Sequence, residues 1–256
     1  MALFHISTTL YYTGCNLSEL QSYLAEMIEE CEGDDMKKDI ILTLNVSLWR
    51  SVLALQGKTV ADASKALDDP EFEEEGFLEN VRTKSVNPSS PFNWHWSLKI
   101  VVLVHFDHHH EAAELGFQII ETSINHPEHR HVGIAIFYHS IALIACIRDA
   151  TLEKKTLEKY RTQVERNRET LEEWASHSEI NYRMYHKLVV SCQLLFKEES
   201  KKKLISSRTR NYRHLLIRRQ HLNCTMMQLN LELKAIGIHF SRSHTSSLQS
   251  TIFAMA

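Results

Sequence analysis

The stretch that decides the fold is GIAIFYHSIALIACIR, residues 133–148, in the second half of the chain. Drawn as a helix, it is apolar on several faces, so we expect it to be central and buried on most of its sides. Its small residues would let neighbouring helices approach closely. We expect contacts with the preceding helix pair and with a long following helix that carries Trp174. The residues expected to be buried there are Ile136, Ile141, Ala142 and Ala145.

The rest of the chain is poor in the residues that make tight turns. It has seven glycines and four prolines in 256 residues, whereas average glycine usage would give about 18. Phosphate-binding loops and nucleophile elbows need glycine, because glycine reaches positive φ at little cost. The chain has no GxGxxG, P-loop, HRD, DFG or GxSxG motif. The sequence therefore predicts neither a kinase nor a serine hydrolase.

Helical periodicity, with apolar residues recurring every three to four positions, covers most of the chain up to residue 196. No run shows sustained period-two alternation, so any sheet would be small. We predict an all-α fold of stacked antiparallel helix pairs with a tetratricopeptide-like superhelix. The predicted helices are 18–30, 38–55 (ended by Gly57), a short one at 59–67, 93–106, 109–123, 133–148, 152–175 and 179–196.

The domain organisation follows from where this periodicity is interrupted or lost. We expect a helical repeat-like domain at residues 1–200, with a possible weak boundary at 87–91, where the sequence reads NPSSP. Residues 201–256 form a basic, Ser/His-rich tail that we expect to be partly disordered. Limited proteolysis with trypsin should therefore cut first between Lys201 and Arg219.

Charge and cysteine content place the chain in a broad class. Charged residues make up 24%, the net charge is −3, and the five cysteines include no CxxC pair. The apolar runs 100–104 and 141–147 are far shorter than the ~20 residues that span a bilayer. The N-terminus lacks the basic region and cleavage site of a secretory signal. We therefore expect a cytoplasmic protein that does not bind a membrane.

Basic residues without intervening acidic ones are concentrated between residues 200 and 221. This possible basic patch could bind nucleic acid or anionic lipid electrostatically. It lacks interleaved aromatic residues, so a solvated basic face is the favoured interpretation and nucleic acid is not the expected partner. Its members are Lys201, Lys202, Lys203, Arg208, Arg210, Arg213, Arg218 and Arg219.

Histidines are concentrated between His105 and His110. His105 and His109 would share a face of a continuous helix, a spacing that can hold zinc. Asp107 is expected to break that helix, and the glutamate of a His-Glu-x-x-His motif is missing. His110-Glu111 matches only the start of a phosphoacceptor box, because Ala112 and Ala113 follow. We therefore expect these histidines to bind no metal and to accept no phosphoryl group.

Several blocks of sequence suggest a relationship to a known family. They are LALQG (53–57) before FEE (72–74), FYHSIAL (137–143), and WASHSEINY (174–182) followed by HKLV (186–189). In this order they resemble the helical, tetratricopeptide-like region of very large fungal signalling proteins. Those proteins also carry a kinase-like domain, an AAA-type ATPase, a GAF domain and a hybrid histidine kinase. The resemblance covers about residues 18–199 and departs from the family at SCQ (191–193).

We expect, on this basis, a non-catalytic helical scaffold or regulatory module of a signal-transduction protein. The resemblance implies that it binds a protein partner or neighbouring kinase and ATPase domains, and that any catalysis lies outside this chain. We expect no catalytic residue, cofactor, metal or small-molecule substrate. Two alternatives remain open: a metal-dependent or phosphorelay enzyme that uses His105–His110, and an electrostatic nucleic-acid or lipid binder that uses residues 201–219.

Overall fold

The computed structural model describes residues 2–32, 40–85, 87–123, 129–148 and 152–206. Helices are the regular elements in these ranges. In these ranges there are nine α-helices, one 3-10 helix at Ala63–Lys65, and a single isolated β-bridge between Asp69 and Phe72. The prediction of an all-α fold is confirmed. The α-helices are α1 Ala2–Thr13, α2 Leu17–Glu32, α3 Ile40–Leu55, α4 Glu74–Lys84, α5 Ser89–His105, α6 His109–Thr122, α7 Arg130–Arg148, α8 Lys154–His177 and α9 Glu179–Ser206.

Seven of these helices were predicted from periodicity, and two were not. The segment at 59–67, predicted as a helix, contains only the short 3-10 turn. The two additional helices are α1, which has no charged Asp, Glu, Lys or Arg to mark its polar face, and α4, which lies in the acidic region. α4 forms although Gly76 lies inside it, because tertiary contacts of Glu74 and Val81 bury one side of the helix. The segment 87–91 contains the start of α5.

Within the unit from Met1 to Leu194, most helices up to α8 pack on the next one along the chain, with the exception of α3, which is followed by α4 but packs on α5. α7 makes its main contacts with α5, α6 and α8, and α5 also packs on α3. α2 packs on α3, and α1 packs on both of them. α7 thus has neighbours on three sides, as its apolar sequence predicts. A second unit begins at Leu195, within α9, and the part of it that is described ends with this helix at Ser206.

Most of the expected contacts of α7 are present. Ile136, Ile141 and Ala142 are buried, whereas Ala145 is half-buried. Trp174 is also half-buried. α7 is long and apolar enough to cross a membrane, but 72% of its apolar stretch is buried inside the protein. That burial is typical of the core helix of a helical protein, so location in the cell remains a prediction.

Three helices end with the same backbone turn. After α1, α3 and α5, residues Gly14, Gly57 and Asp107 take φ values of 75°, 72° and 62°. In each case the next residue donates its N–H to a carbonyl five positions back, for example His108 to Leu103 at 2.9 Å. This pattern is the Schellman motif, which closes a helix C-terminus and usually requires glycine. Asp107 therefore ends α5, as expected, and it does so with a side chain where glycine is favoured.

Candidate functional site

A surface groove with a volume of about 740 Å³ follows one side of α8. Phe117 contributes to it from α6, and every other lining residue lies on α8. We call it the α8 groove. A volume of this size is within the range of ligand sites in proteins, about 300–1,000 Å³. Its α8 residues are Lys154, Lys155, Glu158, Lys159, Thr162, Gln163 and Arg166.

α8 has two distinct faces, and the groove follows the one that does not face the core. Tyr160, Val164, Asn167 and Leu171 are buried, and their spacing of four, three and four residues places them on one side of the helix. The lining residues from 154 to 166 recur with similar spacing on another side. α8 therefore anchors itself to α7 with one face and presents a second, mostly charged face to solvent.

The lining is strongly basic on a chain whose net charge is −3. Four of its side chains are cationic, and Glu158 is its single carboxylate. Lys159 lies 3.6 Å from Glu114 of α6. For Lys154, Lys155 and Arg166, the described residues offer no ion-pair partner within 4 Å. These three cations therefore remain available to an external anion.

Two of the lysines occupy an unfavourable position for helix stability. Lys154 and Lys155 are the first residues of α8, and the first turn carries no acidic residue. A helix N-terminus behaves as a partial positive charge, so acidic residues are favoured there and each misplaced charge changes stability by roughly 0.3–1 kcal/mol. The free N–H groups of the first turn add to the positive potential that the lysines create. This end of the α8 groove is thus suited to attract an anion.

Phe117 provides the apolar part of the groove and is held on three sides. Its ring centroid lies 4.8 Å from that of His139, edge to face, and 6.0 Å from that of Tyr160. The Lys159 ammonium lies 3.8 Å above the ring, a cation–π contact. The phenyl group is therefore fixed in position, and it is half-buried where it lines the groove.

Glu114 connects α6 to the groove-bearing helix. Its Oε1 accepts a hydrogen bond of 2.8 Å from the Tyr160 hydroxyl, while Oε2 faces the Lys159 ammonium. Burial and the neighbouring carboxylate raise the pKa of Tyr160, so its hydroxyl stays protonated and donates. One carboxylate thus fixes both the buried face and the groove face of α8 at this point.

A buried polar network lies below Phe117. The Asn167 amide donates from Nδ2 to His139 Nδ1 at 3.3 Å and to Ser140 Oγ at 3.2 Å. Asn167 Oδ1 in turn accepts a 2.8 Å hydrogen bond from Gln163, a groove residue. Burial lowers the pKa of His139 to about 3, with the Ala113 carbonyl opposing and Lys159 adding to the effect. His139 is therefore neutral at pH 7 and links the groove to the core.

This network depends on a glycine in α6. A Cβ on Gly116 would lie 2.1 Å from His139 Cδ2 and 2.3 Å from its Cγ, far inside van der Waals contact. His139 itself is fully buried. Gly116 is thus what allows α6 to lie close enough to α7 for Phe117 to reach the groove.

The histidines from 105 to 110 do not converge. His105 Nδ1 donates to the Val101 carbonyl at 2.8 Å, His109 Nε2 lies 3.4 Å from Asp107, and His110 Nδ1 lies 3.6 Å from the Cys146 sulfur. Among the described residues, no three His, Cys, Asp or Glu side chains are grouped as metal ligands. The rings of His105, His109 and His110 thus face different partners, and the metal and phosphorelay alternatives remain predictions.

A second polar cluster, which sequence reasoning missed, has the composition of a catalytic triad. His95 Nδ1 lies 3.0 Å from Ser47 Oγ, and its Nε2 lies 2.9 Å from Glu74 Oε1. Glu74 also accepts a 2.6 Å hydrogen bond from Lys99. However, Ser47 is fully buried and donates its hydroxyl proton to the Thr43 carbonyl at 2.8 Å. A substrate could not reach this serine, so the cluster connects α3, α4 and α5 and serves stability.

Arg50 extends the same structural role to the preceding loop. It is 1% exposed, donates from Nε and Nη2 to the Leu67 carbonyl, and pairs with Asp69 at 2.6 Å. Its guanidinium carbon lies 4.3 Å from the Phe72 ring centroid. The loop between α3 and α4 is thus fixed on α3 by one buried cation.

The possible basic patch falls largely outside the description. Lys201, Lys202 and Lys203 lie in the last turns of α9. Arg208, Arg210, Arg213, Arg218 and Arg219 lie outside the described residues, so the patch remains a prediction. The cations of the α8 groove were not singled out from the sequence, although their spacing opposite Tyr160 and Val164 was visible there. Their environment depends on Phe117, which only the fold brings near.

Comparisons of the chain with protein-family models, with curated proteins and with solved structures found no match. The relationship to fungal signalling proteins therefore remains a prediction from the sequence blocks.

Proposed function

We propose that this chain is a non-catalytic helical scaffold or regulatory module that binds a protein partner through the α8 groove. The observation that supports this function is a groove lined by four cations and by one aromatic ring, Phe117, that its neighbours hold in position. Three of those cations have no ion-pair partner in the described part of the chain. Phe117 and Arg166 are of residue types that are enriched at protein interfaces, and the lysines would steer an acidic partner toward the groove electrostatically.

The helical architecture fits this role. Stacked helices present extended surfaces, and such surfaces recognise protein segments without an enclosed pocket. In the signalling context that the sequence blocks suggest, the partner would be a neighbouring domain or another component of a phosphorelay. The chain would then position or regulate catalytic domains, and a stack of antiparallel pairs resembling tetratricopeptide repeats would be its framework.

Site-specific photocrosslinking tests this proposal. A benzoylphenylalanine replaces Thr162 in the groove or, as the control, Glu169, an exposed residue of α8 that does not line it. We expect a protein partner to crosslink only from position 162. The same partner, once purified, should crosslink again from that position. Lys155→Glu should abolish the crosslink, whereas Arg161→Glu, the same charge change outside the groove, should preserve it. Equal crosslinking from both positions would contradict the proposal.

Turnover of ATP by the purified chain tests the non-catalytic part. We expect no hydrolysis above background and no phosphorylation of its own histidines. Activity that a single substitution abolishes, with helicity and melting temperature unchanged, would show that the chain is an enzyme.

A further inference from the structure

We infer that the α8 groove binds a short, extended acidic peptide segment that carries an apolar side chain between two acidic ends. This inference rests on the proposed function and specifies the chemistry of the segment. It follows from three properties of the groove: its length, the order of its charges along α8, and the position of Phe117.

The length of the groove limits the size of the segment. Lys154 and Arg166 mark its two ends on α8. At a rise of 1.5 Å per residue, this part of the helix is about 18 Å long. An extended chain advances about 3.3 Å per residue, so roughly five or six residues would lie along it. The groove is therefore matched to a short linear segment.

The charges are not spread evenly along this length. Lys154, Lys155 and Lys159 occupy the first part, and Arg166 stands at the other end. Between them lie the neutral side chains of Thr162 and Gln163. The three lysines outweigh Glu158 at one end, and the single cation Arg166 stands at the other, so the neutral stretch between them favours a ligand with carboxylates at both ends and uncharged residues between them.

Phe117 lies beside the middle of the groove. The ring contacts Lys159 and Tyr160 on α8, and its partner His139 bonds to Asn167, one helical turn beyond Gln163. An apolar side chain of the segment would pack on this fixed ring, and its burial would add to affinity. The carboxylate end next to Lys159 could then replace Glu114 as the nearer partner of that ammonium.

The same features disfavour a long polyanion. Glu158 places a negative charge within the groove, and the chain as a whole carries a net charge of −3. Double-stranded DNA carries a negative charge about every 1.7 Å along its axis, and a single strand about every 3.4 Å, so either would be repelled by Glu158 and by the net charge of the chain. A short segment with few charges avoids this repulsion.

Fluorescence anisotropy of labelled peptides with the full chain tests the inference. The probe peptide has the order Glu-Glu-Ala-Phe-Ala-Glu between glycines. We expect saturable binding that weakens at least tenfold when its Phe is replaced by Ser or when its Glu residues are replaced by Gln. The inference would be overturned if the chain bound all three peptides with equal affinity, or if it bound none of them.

Two matched variants locate the binding site. Lys155→Glu should weaken binding of the probe peptide at least tenfold, whereas Arg161→Glu, also on α8 but outside the groove, should change it less than twofold. Circular dichroism of both variants confirms that α8 is intact. Tighter binding of a single-stranded oligonucleotide, or of vesicles containing phosphatidylserine, at the same lysine would also contradict the inference.

The result is separable from the fate of the proposed function. A partner that crosslinks from position 162 while no acidic peptide binds would overturn this inference and leave the proposed function in place. Specific binding of the probe peptide that depends on Lys155 supports the inference even if crosslinking finds no partner, a result that would count against the scaffold role.

Discussion

The contact between Gly116 and His139 allows a strong prediction about stability: Gly116→Ala should destabilise the protein. Within a helix this substitution normally stabilises by about 1 kcal/mol, because alanine loses less backbone entropy on folding. At Gly116 the new methyl group would lie 2.1 Å from His139 Cδ2. The two groups would have to separate by more than 1 Å to reach ordinary contact.

Neither side can move without cost. His139 is fully buried and is bonded to Asn167 at 3.3 Å, and its ring packs against Phe117. Overpacking of a core costs about 1–3 kcal/mol, and a buried polar group that loses its partner costs about 1–3 kcal/mol more. After subtraction of the helix-propensity gain of about 1 kcal/mol, we expect a net loss of about 1–5 kcal/mol.

Urea unfolding followed by circular dichroism measures this loss, and Gly76→Ala is the matched control. Gly76 is also inside a helix, but its Cβ would meet only Glu73 Oε2, at 3.8 Å. The control should therefore be stabilised by about 0.5–1 kcal/mol. If Gly116→Ala were as stable as the control, α6 and α7 would not approach as closely as described, and the position of Phe117 in the α8 groove would be wrong.

Further substitutions test four separate parts of the structure. Asp107→Gly should stabilise by up to about 1 kcal/mol because it relieves the left-handed backbone at the end of α5, while Gly57→Ala should destabilise by a similar amount, both measured by urea unfolding. Glu74→Gln should cost about 2–4 kcal/mol at pH 7, since it leaves His95 and Lys99 without their carboxylate, whereas the exposed Glu79→Gln should cost less than about 0.5 kcal/mol. Burial would raise the pKa of Glu74, but His95 and Lys99 outweigh burial and lower the pKa. The ionised Glu74 side chain therefore stabilises the fold above the unfolded-state pKa of about 4.3, and this stabilisation is lost as the pH falls below that value. The difference in stability between wild type and Glu74→Gln should accordingly shrink at pH 3. Ala142→Leu should overpack the fully buried centre of α7 and lower stability by about 1–3 kcal/mol. The double change Lys154→Glu and Lys155→Glu should raise the free energy of unfolding by up to about 1 kcal/mol, because the gain at the helix N-terminus is partly offset by repulsion from Glu153 and Glu158, and it should abolish binding of the acidic peptide.

Periodicity was sufficient to predict the helices that carry a continuous apolar stripe. α7 is the clearest case, because its neighbours can be inferred from how little of its surface is polar. α1 and α4 were missed for opposite reasons. α1 has hydroxyl side chains that bond to its own carbonyls, as Thr8 does to Phe4 at 2.7 Å, so its polar face carries no charge pattern. α4 reads as an acidic surface segment, and the buried contacts of Glu74 and Val81 show why it is ordered.

The polar clusters could not be predicted, because their members are distant in the sequence. Ser47, Glu74 and His95 lie on three different helices. Each residue alone is common in helices, and their meeting depends on the angle and rotation of those helices. The α8 groove is an intermediate case. The spacing of its lysines was present in the sequence, but the spacing alone is equally typical of a solvated helix face. The contact between Lys159 and Phe117, which only the fold reveals, is what made the groove a candidate site.

The lysines at the start of α8 allow an experiment to distinguish a solvated helix face from a recognition site. Elsewhere the helix follows the rules of stability: Arg168 bonds to Glu165 and Glu172, each one turn away, at 2.7 and 2.8 Å. Only its first turn places cations against the positive end of the helix. If this turn were merely a solvated face, acidic substitutions there would be stabilising and would have no effect on binding. If it attracts an acidic partner, the same substitutions stabilise the fold and abolish recognition. If acidic substitutions of Lys154 and Lys155 raise the stability of the fold and also abolish binding of the acidic peptide, the unfavourable charges at this helix end serve recognition.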